Sequence, residues 1–548
     1  MSLRPTVLQS LVLFAVVYGI HIACSRISPT SVQHSASKLV TATGTNAPDF
    51  DWLSLTPSDD INWTPCFDEY QCARLILPLD YLSPAGYGPN VTIALQIGTI
   101  LVNPGGPGGA GTDLIVRKGK DIMRISGGSY NVLGFDPRGT GAKSQFKIWG
   151  LQAGHRTLNL SDGSVPIARA RETALGQKCE EALEWGPARF MSTPSVATDM
   201  LEITERLGEE RLKYWGFSYG SILGQYFSAM YPDKVERVVI DGVFDAYNYR
   251  NTSWNSNLVD TDAVWASLYT FCHEAGPSKC PSRVEAILEG LKDRPLAVPF
   301  APAGPYVLTF KAVHYNAFRS AYGPTTQYGP LAHALVAVEQ NNQTALEGME
   351  ERFGAGTKCQ CQDSSPWLQD TEAFYAIACG DGEPITYTDE AYRAWFEDLA
   401  ATSSFGSPYW GDMYLRCSEW RVRPKWRYTG PLAAENTSHP LLVVSPRYDT
   451  VCPLSDAKRV QSRYSSALLI QNSYGHCSLA APSLCTAKHV RAYFENGTLP
   501  EEGTVCEVDE LPFIGSVHGG VDAMSVEDRE ILDALRSLGE AIPVKSAF

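Results

Sequence analysis

The chain contains no run of lysines and arginines, and its formal net charge is −15. Both features exclude the electrostatic footprint of a protein that binds nucleic acid or an anionic membrane surface. Beyond its first two dozen residues it has no apolar stretch that could span a membrane, and its end lacks the apolar tail of a lipid-anchor signal. Cys359-Gln-Cys361 does not have metal-ligand spacing, and no second pair is placed to complete a zinc site. Internal repeats and low-complexity tracts are absent too. These absences leave no expected metal, cofactor, nucleic-acid partner or stable membrane association.

What is there suits a large globular protein. At 548 residues and 44% hydrophobic, the chain can build an extensive core and two or more lobes. Arg4 precedes an apolar stretch from Leu11 to Ala23, interrupted only by Tyr18 and His21, and then the texture turns Ser/Thr-rich. That pattern predicts a secretory signal over residues 1–24 and a flexible segment over 25–47. Cysteine usage agrees with export. Setting aside Cys24 leaves thirteen, an odd number, so at least one thiol stays free. Cys66/Cys72 and Cys272/Cys280 have the spacing of local loop-closing disulfides. Seven acceptor sequons, at Asn62, Asn90, Asn159, Asn251, Asn342, Asn436 and Asn496, fit a secreted, extracellular glycoprotein.

Along the chain, strand-like runs at Ala73–Leu77, Val91–Val102, Val132–Phe135, Leu212–Phe217 and Val235–Ile240 alternate with helical periodicity such as Val196–Leu207. Such alternation argues for an α/β protein with a mostly parallel sheet covered on both faces. From about 246 to 430 the pattern changes to amphipathic stretches, at Thr261–Ala275, Arg283–Lys292, Pro330–Glu339, Ala345–Phe353 and Glu390–Leu399, separated by aromatic-rich loops. A second, independent helical domain is one reading. The return of strand character at Pro440 favours the other, a helical lid inserted before a later strand. The expected organisation is a core over 48–245 and 431–515, a lid over 246–430 and a tail over 516–548. The tail carries one amphipathic helix, Val526–Leu538, of no evident purpose.

Gly216-Phe217-Ser218-Tyr219-Gly220 lies between the apolar run Tyr214-Trp215 and a helix-like stretch. A serine with glycines two residues to either side, at a strand-to-helix turn, is the pattern of a nucleophile elbow, where side chains beside the serine would collide. A Gly-rich run, Asn103-Pro104-Gly105-Gly106-Pro107-Gly108-Gly109, follows the strand-like Thr99–Val102. It lacks both the Lys-Ser/Thr of a phosphate loop and the dinucleotide glycine spacing. The other reading is a loop that lends a backbone N–H to an oxyanion hole, from Gly105 or Gly106, with the second donor at Tyr219. An acid is expected at the end of a later strand, and Leu441–Asp449 ends in Asp449; Asp456 is its rival but falls where a helix should already have begun. A base should follow the next strand, which Ala467–Gln471 supplies through to His476. His439 precedes the acid and His489 lies on a helix-like stretch. The order Ser218, Asp449, His476 is that of the α/β-hydrolase fold.

Together, Asn103–Gly109, Asp136-Pro-Arg-Gly139, Gly216–Gly220, Asp241-Gly242 and Tyr474-Gly-His476 resemble the secreted tripeptidyl aminopeptidases, α/β-hydrolase serine exopeptidases related to proline iminopeptidases. The segment from His476 through Cys485, Gly497–Pro500 and Cys506 resembles that group's C-terminal region, and the likeness spans roughly residues 60 to 513. It implies peptide substrates and release of short peptides, tripeptides, from free N-termini, with Ser218 attacking, His476 carrying the proton and Asp449 orienting the imidazole. The chain departs from the family in two places. Val91–Gln96 runs almost directly into Ile97–Leu101, where a turn and further residues are expected, and Cys452 stands where the family tends to have threonine. An aminopeptidase also needs a carboxylate for the substrate ammonium, and the lid offers Asp381 and Glu419. Two other readings of the same residues are a secreted esterase or lipase, and a catalytically silent hydrolase-fold protein used for binding.

Overall fold

The structure is a computed structural model that describes residues 50–84, 88–96, 99–141, 164–183, 186–276, 283–302, 304–349, 352–353, 370–517 and 524–540. The expected signal, the flexible segment after it, Asn159, Cys280, Cys359 and Cys361 lie outside the described residues.

The fourteen strands among the described residues are β1 Thr64–Cys66, β2 Tyr70–Pro78, β3 Asn90–Gln96, β4 Ile100–Asn103, β5 Val132–Phe135, β6 Leu212–Phe217, β7 Val235–Asp241, β8 Leu296–Val298, β9 Tyr306–Leu308, β10 Leu441–Tyr448, β11 Ser466–Tyr474, β12 Val505–Cys506, β13 Glu510–Leu511 and β14 Gly515–Ser516. Ten of them form one sheet in the order β1-β2-β3-β5-β4-β6-β7-β10-β11-β12. β1, β2 and β3 run antiparallel to their neighbours, and every pair from β5 to β12 is parallel.

The central strands are buried on both faces, and their alternate residues divide between two cores. Ile100, Val102, Trp215, Phe217, Val239, Leu442 and Val444 point to one face, while Leu101, Tyr214, Val238, Ile240, Leu441 and Val443 point to the other. The helices of the first half are α1 Gly111–Ile125, α2 Ser164–Leu183, α3 Thr193–Arg206 and α4 Tyr219–Met230. Between β7 and β10 come α5 Ala246–Arg250, α6 Thr261–Ala275, α7 Val284–Asp293, α8 Phe310–Ser320, α9 Pro324–Glu339, α10 Gln343–Glu347, α11 Asp370–Asp381, α12 Asp389–Thr402 and α13 Ser407–Glu419. After β10 follow α14 Leu454–Gln461, α15 Leu484–Asn496 and α16 Val526–Glu540. The last of these is the tail helix, and it now has a role. Ile531, Leu535 and Leu538 pack with Leu114, Ile115 and Ile122 of α1 on the first face, and Lys118 donates to the Ser537 hydroxyl at 2.8 Å.

Three sequence expectations are revised. The apolar run Val91–Val102 is two strands, because β5 inserts between β3 and β4. Gln96 pairs with Gly134 and Ile100 with Val132, so their ends lie two strand spacings and two residues apart, about 12 Å. The four Cα steps from Gln96 to Ile100 reach at most about 14 Å, so the short join suffices. Thr99 and Ile100 both donate their N–H groups to Asn131 O, just before β5. Second, α2 falls within the expected core segment, yet it binds the inserted helices: Arg169 to Asp389 and Glu419, Glu172 to Arg416, and Glu180 to Arg421. Third, the inserted region contains the antiparallel β8–β9 pair besides its helices.

Cys66–Cys72 forms the expected disulfide, joined by Cys379–Cys417 and Cys485–Cys506; Cys272 is also disulfide-bonded. The six described sequon asparagines are all exposed. No helix among the described residues is long and apolar enough to cross a membrane.

Candidate active site

β4 pairs with β5 on one side and β6 on the other, so the chain leaves these neighbouring strands in opposite directions. Ligand sites in open α/β sheets form at such a crevice, outside the carboxyl ends of the strands. The Gly-rich loop leaves β4 there and the elbow leaves β6.

Ser218 has φ 58° and ψ −120°, a conformation L side chains adopt only under strain. Its N–H donates to Asp241 O at 2.9 Å, and its own carbonyl accepts from Ser221 N–H at 2.8 Å. A Cβ at Gly216 would lie 2.4 Å from Gly220 O, so the turn closes only over a glycine. The Gly-rich loop packs directly on this turn: a Cβ at Gly105 would meet Phe217 O at 2.5 Å and Ser218 Cβ at 2.8 Å.

Of the three candidate oxyanion donors, Gly105 is engaged already. Its N–H donates to Asn103 Oδ1 at 2.9 Å in a buried bond. The N–H groups of Gly106 and of Tyr219, the first residue of α4, have no acceptor among the described residues. Tyr219 is one of the orphan donors of a helix N-terminus, and the pair Gly106/Tyr219 is what the geometry leaves to hold an oxyanion.

Asp449 follows β10 and is fully buried. Its Oδ1 accepts from Val451 and Cys452 N–H at 2.9 Å each and from His476 Nδ1 at 2.8 Å. Oδ2 accepts from Cys477 N–H at 2.8 Å. A carboxylate held on four donors cannot turn away from the imidazole, so the other ring nitrogen of His476 is fixed in direction. The rivals lie elsewhere. Asp456 sits inside α14, paired with Arg459 and accepting from Asp245 N–H at 3.1 Å. His439 Nδ1 bonds Val235 O at 3.1 Å, and His489 lies on α15 beside the Cys485–Cys506 disulfide.

Asp241, at the end of β7, ties the elbow to the histidine loop. Its carbonyl accepts from Ser218 N–H, and its carboxylate accepts from Ser478 N–H at 2.8 Å and Ser478 Oγ at 2.5 Å. Burial pushes this carboxyl up to about 6. Cys452 completes the floor: its sulfur lies within 4.8 Å of ligand atoms of both Asp449 and His476, and its thiol faces the Ser218 side chain. Burial, with Asp449 and Asp456 adding to it, holds that thiol in its protonated form. Cys485, His489 and Cys506 also cluster, but their two sulfurs are bonded to each other.

The inserted helices grip the acid loop. Thr450 Oγ1 donates to Ala321 O at 2.7 Å, Thr261 Oγ1 to Thr450 O at 2.6 Å, and Asn257 Nδ2 to Val451 O at 2.7 Å. His476 N–H donates to Tyr322 O at 2.7 Å, and the Tyr322 ring stands edge-on to the imidazole at 5.1 Å. Sequence reasoning missed these residues, which lie 129 to 194 positions from their partners and carry no local signal.

The two lid carboxylates sit in internal networks. Asp381 is buried, accepting from Thr193 N–H at 3.0 Å, Thr193 Oγ1 at 2.5 Å and Tyr249 OH at 2.9 Å. Burial pushes it up to about 6. Thr193 Oγ1 also contacts Tyr219 OH at 2.5 Å, which links Asp381 to the residue after Ser218. Glu419 accepts from Arg169 Nη1 at 2.7 Å and Thr173 Oγ1 at 2.9 Å.

Known proteins are similar to this chain in sequence. A family model described as alpha/beta hydrolase fold matches residues 98–277, and one described as TAP-like protein matches residues 403–506. The serine protease Hip1 of Mycobacterium tuberculosis is 24% identical over 485 residues, covering 81% of this chain and 91% of the relative. The tripeptidyl aminopeptidase of Streptomyces lividans is 24% identical over 503 residues, covering 82% and 87%. A protein named carboxylesterase B from Mycobacterium tuberculosis is 23% identical over 476 residues, covering 80% and 86%. With its parallel sheet and its elbow at the crevice, the chain has the α/β-hydrolase fold of a serine peptidase and is similar to the tripeptidyl aminopeptidases and TAP-like proteins.

Proposed function

We propose that this protein is a secreted aminopeptidase that releases short peptides, tripeptides, from free N-termini through an acyl-enzyme on Ser218. His476 takes the Ser218 proton as the hydroxyl attacks the scissile carbonyl, then gives it to the leaving amine. Asp449 orients the imidazole and stabilises its cation. Gly106 and Tyr219 N–H groups receive the oxyanion, and water, activated by His476, releases the acyl group. The observation that carries this reading is the strained Ser218 beside an Asp449–His476 bond of 2.8 Å, at the carboxyl ends of β6 and β10. Export is supported by the disulfides and by the six exposed sequons.

A fluorophosphonate probe should label the wild-type protein and fail to label Ser218→Ala. Absence of labelling in folded wild-type protein would favour a silent binding scaffold. Tripeptidyl and aminoacyl anilides, each with a free and a blocked N-terminus, then test the exopeptidase assignment, since blocking should abolish turnover. The relative named carboxylesterase B favours one second reading, an esterase using the same triad. Fast hydrolysis of acyl esters with no response to N-terminal blocking would establish it.

A further inference from the structure

The reaction written above makes no use of Asp381, yet two hydroxyl groups join that carboxylate to the residue after Ser218. Asp381, Thr193, Tyr219 and Tyr249 are all buried, with at most 3% of their surface exposed. Thr193 is the first residue of α3, and Ser192 before it gives the helix no side-chain cap. Asp381 takes that place from 188 positions away, accepting from Thr193 N–H at 3.0 Å. It also accepts from Thr193 Oγ1 at 2.5 Å and from Tyr249 OH at 2.9 Å. An ionised carboxylate only accepts, so the single Thr193 hydroxyl proton points at Asp381. The Thr193 oxygen is left to accept, and Tyr219 OH, 2.5 Å away, is then its donor. The result is a one-way chain from Tyr219 through Thr193 to a buried charge, in which each bond polarises the next.

Both ends of this chain are held. Asp381 closes α11 two residues after Cys379, whose disulfide to Cys417 ties that helix to α13. Arg427 Nε donates to the Asp381 carbonyl at 3.1 Å. At the other end, Tyr219 is the first residue of α4, and its ring packs on Tyr249 with centroids 5.9 Å apart. The Tyr219 N–H is one of the two groups left to receive an oxyanion. A donor of that kind is effective only when held within about 0.5 Å of the productive geometry. A rigid ring fixed at its hydroxyl leaves the backbone that carries it little freedom to turn.

We propose that Thr193 and Asp381 are positioning residues for the oxyanion hole, which fix the Tyr219 N–H by way of the Tyr219 hydroxyl. The inference rests on the peptidase reading above. It gives the inserted region, through α11, a second hold on the reaction besides its grip on the acid loop.

The test compares Tyr219→Phe, Thr193→Val, their double variant and the conservative Thr193→Ser. End-point fluorophosphonate labelling counts intact sites, and rates are expressed per labelled site. For a tripeptidyl anilide, Tyr219→Phe and Thr193→Val should each lower kcat about tenfold and move KM by no more than about twofold, because the N–H acts on the transition state. A peptide aldehyde, whose adduct with Ser218 carries an oxyanion, should bind about tenfold more weakly to both variants, while the affinity for product tripeptide stays constant. The double variant should lose no more than either single one, since both cut the same chain. Thr193→Ser, which keeps the hydroxyl, should recover most of the rate. Variants that melt at lower temperature yet keep wild-type kcat per site and aldehyde affinity overturn the proposal, as do losses that add in the double variant. Should Thr193→Val fail to fold, Tyr219→Phe, which removes a single oxygen, decides. Wild-type protein that fails to label refutes the peptidase reading and this proposal with it; wild-type protein that labels and turns over, with Tyr219→Phe its equal, refutes the proposal alone.

Discussion

The sheet and the inserted helices solve opposite problems. In the sheet, each reacting group stands at the end of its own strand: Ser218 after β6, Asp449 after β10 and His476 after β11. Backbone donors and acceptors fix all three. In the insertion, chemistry is arranged by contacts between distant segments, as when Thr261 and Ala321 clamp Thr450. On the proposed reading, reactivity is built into the strand ends, whereas its alignment depends on helices that arrive from elsewhere in the chain.

Four perturbations test that division. Removing the nucleophile comes first. Ser218→Ala should lower kcat by roughly 10³ or more with little change in substrate affinity, measured with a tripeptidyl anilide. Retention of even a tenth of the activity would refute the strand-end assignment. Next is the covalent tie within the insertion. Cys379–Cys417 closes a loop of sequence separation 38, and Cys66–Cys72 one of 6. Loop-closure entropy gives about 4 kcal/mol for the first and about 2 kcal/mol for the second. Denaturant unfolding of the two Cys→Ala double variants should therefore show the larger loss in the insertion, and the reverse order would contradict a separately held helical region.

A third, smaller effect is expected from pH. Asp381 is raised to about 6 by burial, so its folded form holds a proton that the unfolded chain releases near 4. The stability it confers is complete below about 4 and is lost as pH rises through about 6. Asp381→Asn should remove that dependence, gaining roughly 1–3 kcal/mol relative to wild type between pH 4 and 7. Parallel melting curves for the two proteins across that range would disprove the burial argument. The smallest effect concerns the clamp. Thr450→Val deletes one hydrogen bond to the insertion, worth about 1 kcal/mol, and should reduce kcat about 3- to 10-fold while fluorophosphonate labelling persists. Unchanged kcat would mean that the insertion does not align the acid.

The same division explains what could be read in the sequence. The elbow was legible because its glycines are demanded within five residues, and the acid and base because each ends an apolar strand. β3 and β4 were merged because an uninterrupted apolar run cannot reveal that another strand passes between its halves. α11 escaped notice for a related reason. Its residues Ala373 to Cys379 are all buried, so it has no polar face and no amphipathic period. Asp381 and Glu419 were singled out as acids in the right region, but their donors, Thr193 and Arg169, lie more than 180 residues away.

The packing of α16 against α1 has a consequence for how the molecule is made. Leu114, Ile115 and Ile122 share their cluster with Ile531, Leu535 and Leu538, more than 400 positions later. During synthesis, this side of α1 lacks that cover until Leu538 has left the ribosome. Completion of the fold is therefore a late event, timed by the arrival of the final helix.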